Sequence, residues 1–298
     1  MPKPITVLVA GATGHQGGAV ARLLLDKGHR VRALTRKPAS RPAANLHAAG
    51  AELYEGDLDD AGSVQRAAEG ADAFFLMATP FEGGVAAELR QAQRGASAAA
   101  SAGVKQLVYS SVAGADRDTG IPHFDSKREV ERYVQSLGVP CTIVAPAFFM
   151  ENLLGPTSLH GLRAGTLSMP LPANRPLQML ALADLAAFTR LVLERPAEFQ
   201  GRRIDLASDQ LTGTEIAKVL AHVTRSAIDY AELPLAAVRE QSDDFARMWE
   251  WFDRVGYDCD LAGLRASYPE VGWHDLRTWA REQDWTVLDE ADADQPTA

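Results

Sequence analysis

The feature that most constrains this chain is Gly11-Ala12-Thr13-Gly14-His15-Gln16-Gly17-Gly18, set directly behind the apolar run Ile5-Thr6-Val7-Leu8-Val9-Ala10. A short β-branched run of this kind reads as a buried strand. Ala19, Val20 and Leu23-Leu24-Leu25 then continue at helical spacing to Lys27, and Gly28 closes the helix. Strand, glycine turn and helix, in that order, are the context in which a dinucleotide fingerprint has meaning. Gly11 can make the tight turn, Gly14 leaves backbone N–H groups open to a pyrophosphate, and Gly17 lets the helix pack close to the strand. The helix N-terminus adds the positive end of its dipole. The spacing is Gly-x-x-Gly-x-x-Gly, not the Gly-x-Gly-x-x-Gly of ordinary dehydrogenases, so a purely structural turn is the competing reading.

A second strand, His29 to Thr35, runs into Arg36-Lys37-Pro38. An NAD-preferring site places an acid about 20 residues beyond the fingerprint to hold the ribose 2′-hydroxyl. Thr35, Arg36 and Lys37 offer none. A guanidinium suits a 2′-phosphate, so the pattern points to NADP(H); a solvated basic turn is the alternative. A third strand, 51–55, ends in Gly56-Asp57-Leu58. Asp57 is placed either to accept from an adenine amino group or to cap the next helix. A fourth strand, 73–77, exits through Ala78-Thr79-Pro80. A long helix carrying Val85, Leu89, Ala92, Ala96 and Ala99 follows, and a fifth strand, 106–109, ends at Ser110-Ser111. This alternation implies right-handed crossovers and an α/β, doubly wound parallel sheet.

Between Ile121 and Gly138 the sequence predicts a helix whose apolar face is Val130, Tyr133, Val134 and Leu137. Lys127 heads that stripe and needs a polar pocket there, or must snorkel to solvent. His123 shares its side if the helix begins that early. Arg128, Glu129, Glu131 and Arg132 fall mainly on other faces. After a sixth strand, 139–145, and the segment Pro146 to Asn152, the alternation breaks down into a smaller mixed α/β lobe. The expected division is a nucleotide-binding domain over 1–152, a smaller lobe over 153–288 and a disordered acidic tail over 289–298. A later strand near 203–207 is a candidate to join the first sheet. Trp249, Trp251, Phe252, Trp273, Trp279 and Trp285 read as core in preference to a substrate box.

Composition excludes several classes. A net charge of −9 argues against a nucleic-acid surface. Two cysteines far apart in sequence suggest a reducing compartment, and neither has a Cys or His at metal-ligand spacing, so no metal site is expected. No run approaches the ~18 apolar residues of a membrane span. The first strand begins at once, leaving no room for a signal peptide, and a cytoplasmic location is expected.

Together, the glycine turn at 11–18, Thr35-Arg36-Lys37-Pro38, His123-Phe124-Asp125-Ser126-Lys127 and Phe149-Met150-Glu151-Asn152-Leu153-Leu154 resemble the NmrA-like family of atypical short-chain dehydrogenase/reductases. The resemblance implies a Rossmann domain, a smaller C-terminal lobe and a cleft between them. It implies NADP(H) contacts from Gly11 through Gly17, Arg36 with its neighbours, Asp57-Leu58, Ala78-Thr79-Pro80, Lys127, Phe149 and Asn152. Ordinary short-chain reductases use Ser, Tyr and Lys; here Ser111 and Lys127 match two positions while His123 stands in the tyrosine's place. Tyr109 and Tyr133 are at the wrong offsets to replace it. The family contains reductases of quinones, enones and benzylic ethers, and also redox sensors that bind the cofactor without turning it over. The expected function is therefore an NADPH-dependent oxidoreductase acting on a small apolar acceptor, with Lys127, His123 and Ser111 as catalytic candidates. The alternative is a non-catalytic NADP(H) sensor acting through a regulatory protein partner. Neither a nucleic acid nor a membrane is an expected partner, and an oligomer is compatible with either reading.

Overall fold

Of the runs read above as strands, 6–9, 73–76, 106–110 and 141–146 are fully buried, as in a sheet covered by helices on both faces, whereas 52–55 is half-exposed. The computed structural model describes residues 3–288; the acidic tail, 289–298, lies outside the described residues. In chain order the first elements are β1 (Thr6–Val9), α1 (His15–Asp26), β2 (Arg30–Thr35), α2 (Arg41–Ala48), β3 (Glu52–Glu55), α3 (Ala61–Ala68), β4 (Ala73–Leu76), α4 (Gly84–Ser101), β5 (Gln106–Ser110), α5 (Pro122–Ser136) and β6 (Cys141–Pro146). Then come β7 (Phe148–Phe149), α6 (Pro156–Arg163), β8 (Thr166–Met169), β9 (Pro176–Leu180), α7 (Leu182–Glu194), α8 (Pro196–Phe199), β10 (Arg203–Leu206), β11 (Asp209–Thr212), α9 (Gly213–Thr224) and β12 (Asp229–Glu232). Four short helices close the chain: α10 (Leu235–Gln241), α11 (Asp243–Arg254), α12 (Leu261–Ser267) and α13 (Leu276–Arg281).

Seven strands form one sheet in the order β10-β6-β5-β4-β1-β2-β3, and every neighbouring pair is parallel. The chain winds outward from β1 through β2 and β3, then crosses back to β4 and winds the other way. This is the doubly wound Rossmann arrangement, with its switch point between β1 and β4. Period-two alternation sorts the core. Leu8, Phe74, Leu76, Leu107, Tyr109 and Ile143 share one layer with Val64 and Ala67 of α3, Ala92 and Ala96 of α4, and Val130 and Val134 of α5.

The chain forms two compact units. The first runs to Pro146 and takes back Leu182–Leu206; the second is Ala147–Ala181 with the chain from Ala207 onward. This differs from a single boundary at 152, for a physical reason. β6 is an edge until β10 pairs with it, and backbone bonds from Ile143 N to Arg202 O (2.9 Å) and from Gly201 N to Cys141 O (2.7 Å) seat that pairing. α7 is tied down by His29, which is buried. Its Nδ1 accepts from Ile5 N, which places the proton on Nε2, and Nε2 donates to Glu194 at 3.0 Å. The second unit holds a three-stranded sheet, β11-β9-β7, and the pair β12-β8. Trp249, Trp251, Phe252, Trp273 and Trp279 are buried there, stacking edge to face, as with Trp249 on Phe252 at 5.3 Å.

α1 approaches the end of β1 closely at Gly17. A Cβ there would stand 2.4 Å from Ala10 O and 2.5 Å from Gly11 O, both backbone atoms held by the sheet. Gly17→Ala should therefore lower the unfolding free energy by about 1–3 kcal/mol, the cost of overpacking, read as a lower urea midpoint at unchanged slope.

Candidate functional site

All strands of the first sheet run the same way, so the exits of β1 to β5 gather at one edge. At the switch point two of these exits touch. Ala10 N donates to Phe75 O at 2.9 Å, and Gly11, at φ 63°, leaves no room for a side chain because a Cβ would meet Met77 Sδ at 2.5 Å. Ala12 is fully buried, Thr13 and Gln16 are half-buried and His15 is exposed. Gln16 accepts a hydrogen bond from Ser110 Oγ, 2.9 Å away at the end of β5. Gly14 caps α1 without any side-chain bond to the first turn, and that turn holds no acidic residue. By contrast α2 is capped by Ser40 and α3 by Asp60. At Gly14 the backbone is ordinary (φ −98°), and a Cβ would meet only Gly11 O at 3.4 Å. The chain itself does not require glycine there. The open space beside uncapped helical N–H groups fits an anionic diphosphate.

At the exit of β2, Thr35 is buried, with its Oγ1 accepting from Lys37 N, and Arg36 and Lys37 are exposed. The Arg36 guanidinium forks onto one carboxylate, with NH1 and NH2 at 2.7 and 2.9 Å from the two oxygens of Glu82. Each partner moves the other further into its charged form: Glu82 raises Arg36, and Arg36 holds the Glu82 carboxyl below its usual range. Both are largely exposed, so the pair adds little stability and yields readily to a stronger anion. Sequence reading missed Glu82, which lies just past the 78–80 loop. Asp57 is not the cap of α3; that is Asp60. Asp57 Oδ1 instead accepts from Asp59 N at 2.9 Å, a local turn, and Leu58 packs against the core layer. Thr79 Oγ1 accepts from Phe81 N, and Pro80 O accepts from Gly84 N.

The three catalytic candidates separate into two networks. α5 begins at Pro122, so His123 and Lys127 lie four apart on one face. Lys127 Nζ stands 2.7 Å from Glu88 Oε1 and donates to Ala78 O at 3.2 Å, with 12% of its side chain exposed. Glu88 is completely buried, and its other oxygen accepts from Ser126 Oγ at 2.8 Å. The polar pocket that Lys127 required is therefore Glu88. It lies on the stripe of Ala92, Ala96 and Ala99, and an acid on that stripe was the signal in the sequence. His123 is buried, its ring edge-on to Phe124 at 4.8 Å.

Ser111 joins the second network. Its hydroxyl donates to Glu131 Oε1 at 2.5 Å, and the same carboxylate takes Arg128 at 2.8 Å and Arg203 at 3.1 Å. Glu131 is fully buried although it lies off the apolar stripe; Arg203, brought in by β10, supplies a charge no local pattern reveals. Tyr109 stands between the two networks. Burial, then the charges of Glu88 and Glu131, push its phenol well above the usual range, so it stays neutral. Phe149 and Asn152 belong to the second unit, Phe149 half-buried in β7 and Asn152 exposed. Among the described residues no group of three or more His, Cys, Asp or Glu could hold a metal, and no helix is long and apolar enough to cross a membrane. Both cysteines are buried and neither forms a disulfide among the described residues. Because the Ser111 hydroxyl satisfies a buried carboxylate, Ser111→Ala should cost about 1.5–3 kcal/mol of stability, measured by chemical denaturation.

Comparison with known proteins sets this site in a family. The chain spans about half the length of the fungal oxidoreductase himF of Aspergillus japonicus, at 38% identity over 50% of this chain and 48% of that protein. An NAD(P)H azoreductase from Xenophilus azovorans is 29% identical over 92% of this chain and 95% of its own. The crystal structure of NmrA, a negative transcriptional regulator, in complex with NADP superposes with a TM-score of 0.74 at 24% identity, covering 94% of this chain and 95% of that one. An NADPH-dependent quinone oxidoreductase from Escherichia coli, crystallised with NADPH, gives 0.75 at 23%, covering 92% and 98%. At such identities the two structures speak for the fold. The model of the NmrA-like family matches residues 3–280, and this chain belongs to that family.

Proposed function

We propose that this chain binds NADP(H) and reduces a small, apolar, conjugated acceptor such as a quinone or an enone. The observation that carries the reading is the Lys127 ammonium, held at the exit of β4 beside the uncapped glycine turn of β1. Among the described residues it makes an ion pair with Glu88 and donates to Ala78 O, and an ammonium has further N–H capacity for a ligand. In this reading the α1 N-terminus and Gly14 receive the diphosphate, and Arg36 exchanges Glu82 for the 2′-phosphate. Asp57 and Leu58 border the adenine, and Ala78 to Pro80 line the path to Lys127. The bound dihydronicotinamide supplies the hydride. Lys127 orients the nicotinamide ribose with a directed N–H, and His123, one turn earlier on the same face, is the candidate proton carrier. Ser111 acts through Glu131 and not on the acceptor. The azoreductase and quinone oxidoreductase among the similar proteins support a reductase of this class. The two buried thiols accord with a cytoplasmic setting.

The second reading is a cofactor sensor that acts through a protein partner. What favours it is His123 in the place of the usual tyrosine, together with the likeness to a transcriptional regulator. The two readings diverge in one assay: oxidation of NADPH, followed by the reduced-nicotinamide absorbance, against quinones, enones, azo dyes and aldehydes. Turnover of at least one acceptor, reduced far more than adenine-half binding by Lys127→Ala, is the expected result. No turnover by wild type across the panel would favour the sensor.

Cofactor choice supplies a further test. NADPH should bind more tightly than NADH, and Arg36→Ala should remove most of the difference, about one to two decades in affinity for a charge-assisted contact. Glu82→Ala should widen the preference, because the guanidinium no longer has to be released. Calorimetric titration with both nucleotides reads both effects.

A further inference from the structure

Glu88 is, with Glu131 and Asp184, one of the fully buried acids among the described residues. It sits near the start of α4 with no exposed surface, and a buried carboxylate is costly unless fully paired. Its two oxygens are divided between consecutive residues of α5: Oε2 takes the Ser126 hydroxyl at 2.8 Å, and Oε1 takes the Lys127 ammonium at 2.7 Å. A lysine is a compact charge on a flexible four-carbon stem, and one that is 12% exposed would otherwise extend to water. Here it is drawn back until Nζ also reaches Ala78 O at 3.2 Å and stands 6.0 Å from the centre of the buried Tyr109 ring.

We propose that Glu88 is the positioning residue of the nucleotide site: it fixes the Lys127 ammonium at the exit of β4, so that its remaining N–H points to the nicotinamide-side ribose. This rests on the NADP(H) reading above and extends it to a residue on a different helix. The carboxylate balances the ammonium, so Lys127 contributes a directed hydrogen bond and little net positive charge. The adenine half, bound through Arg36 and the glycine turn, does not depend on Glu88.

That division makes the test. NADPH and 2′,5′-ADP, which carries the adenine half alone, are titrated calorimetrically into wild type, Glu88→Gln, Lys127→Met and the double variant. Glu88→Gln keeps the shape and an acceptor for Ser126 but removes the charge. It should weaken NADPH about 10-fold or more, the loss of a charge-assisted bond, and leave 2′,5′-ADP unchanged. The double variant should bind NADPH no more weakly than Lys127→Met alone. Glu88→Asp, which keeps the charge but withdraws it by one methylene, should give an intermediate loss for NADPH only, and it carries the test if Glu88→Gln does not fold. Wild-type NADPH affinity in the Glu88 variants, equal losses for the two ligands, or additive losses in the double variant would each overturn the proposal. Failure of wild type to bind either ligand would instead overturn the NADP(H) reading beneath it.

Discussion

Everything at the candidate site depends on the sheet being parallel and covered on both faces. Each strand then enters from one side and leaves at the other, so the chain must deliver every strand exit to a single edge. β1 and β4 are neighbours there although more than sixty residues separate them in sequence. A side chain at Gly11 would need a strained left-handed backbone, at φ 63°, and would displace the Met77 side chain, while Gly17 brings α1 within contact of the backbone of Ala10. The glycines have unequal duties. Gly11 and Gly17 answer to the fold, whereas a Cβ at Gly14 would meet only Gly11 O at 3.4 Å.

Two fully buried carboxylates pair with the candidate residues Lys127 and Ser111. Glu88 and Glu131 both lack exposed surface, and each must recruit donors to remain there. Glu88 draws in Lys127 and Ser126; Glu131 draws in Ser111, Arg128 and Arg203. The two clusters hold residues that family resemblance groups together. Lys127 reaches Ala78 O at the exit of β4, while the Ser111 hydroxyl is consumed by a carboxylate inside the unit. Tyr109, between them, is kept neutral by burial and by both charges. It is therefore a packing residue beside the ammonium.

The first unit recovers its last two helices, α7 and α8, and its last strand, β10, from beyond the second unit's opening segment. This return serves the site indirectly. β10 covers the open edge of β6 and carries Arg203 into the Glu131 cluster, where it also donates to Val112 O at 2.9 Å. The loop after β5 is thus anchored by a residue some ninety positions later. α7 completes the opposite layer through His29, Glu194 and Arg190, whose NH1 reaches Glu194 at 2.7 Å.

Local sequence determined the strands, the helices, the glycine turn and the class of sheet, because each of these is written in a period of two or 3.6 residues or in a backbone requirement at one position. The buried run 6–9, the helix from Pro122 and the basic exit Arg36-Lys37 were legible for that reason. Lys127 was legible as a charge on an apolar stripe, which demanded a partner without naming one. Tertiary structure alone decided the partners. Glu88 meets Lys127 because α4 and α5 pack side by side, Glu82 meets Arg36 because two strand exits share an edge, and Arg203 meets Glu131 because β10 pairs with β6. Such pairings depend on which distant segments the hydrophobic layers bring together, and a one-dimensional pattern carries no record of the second member.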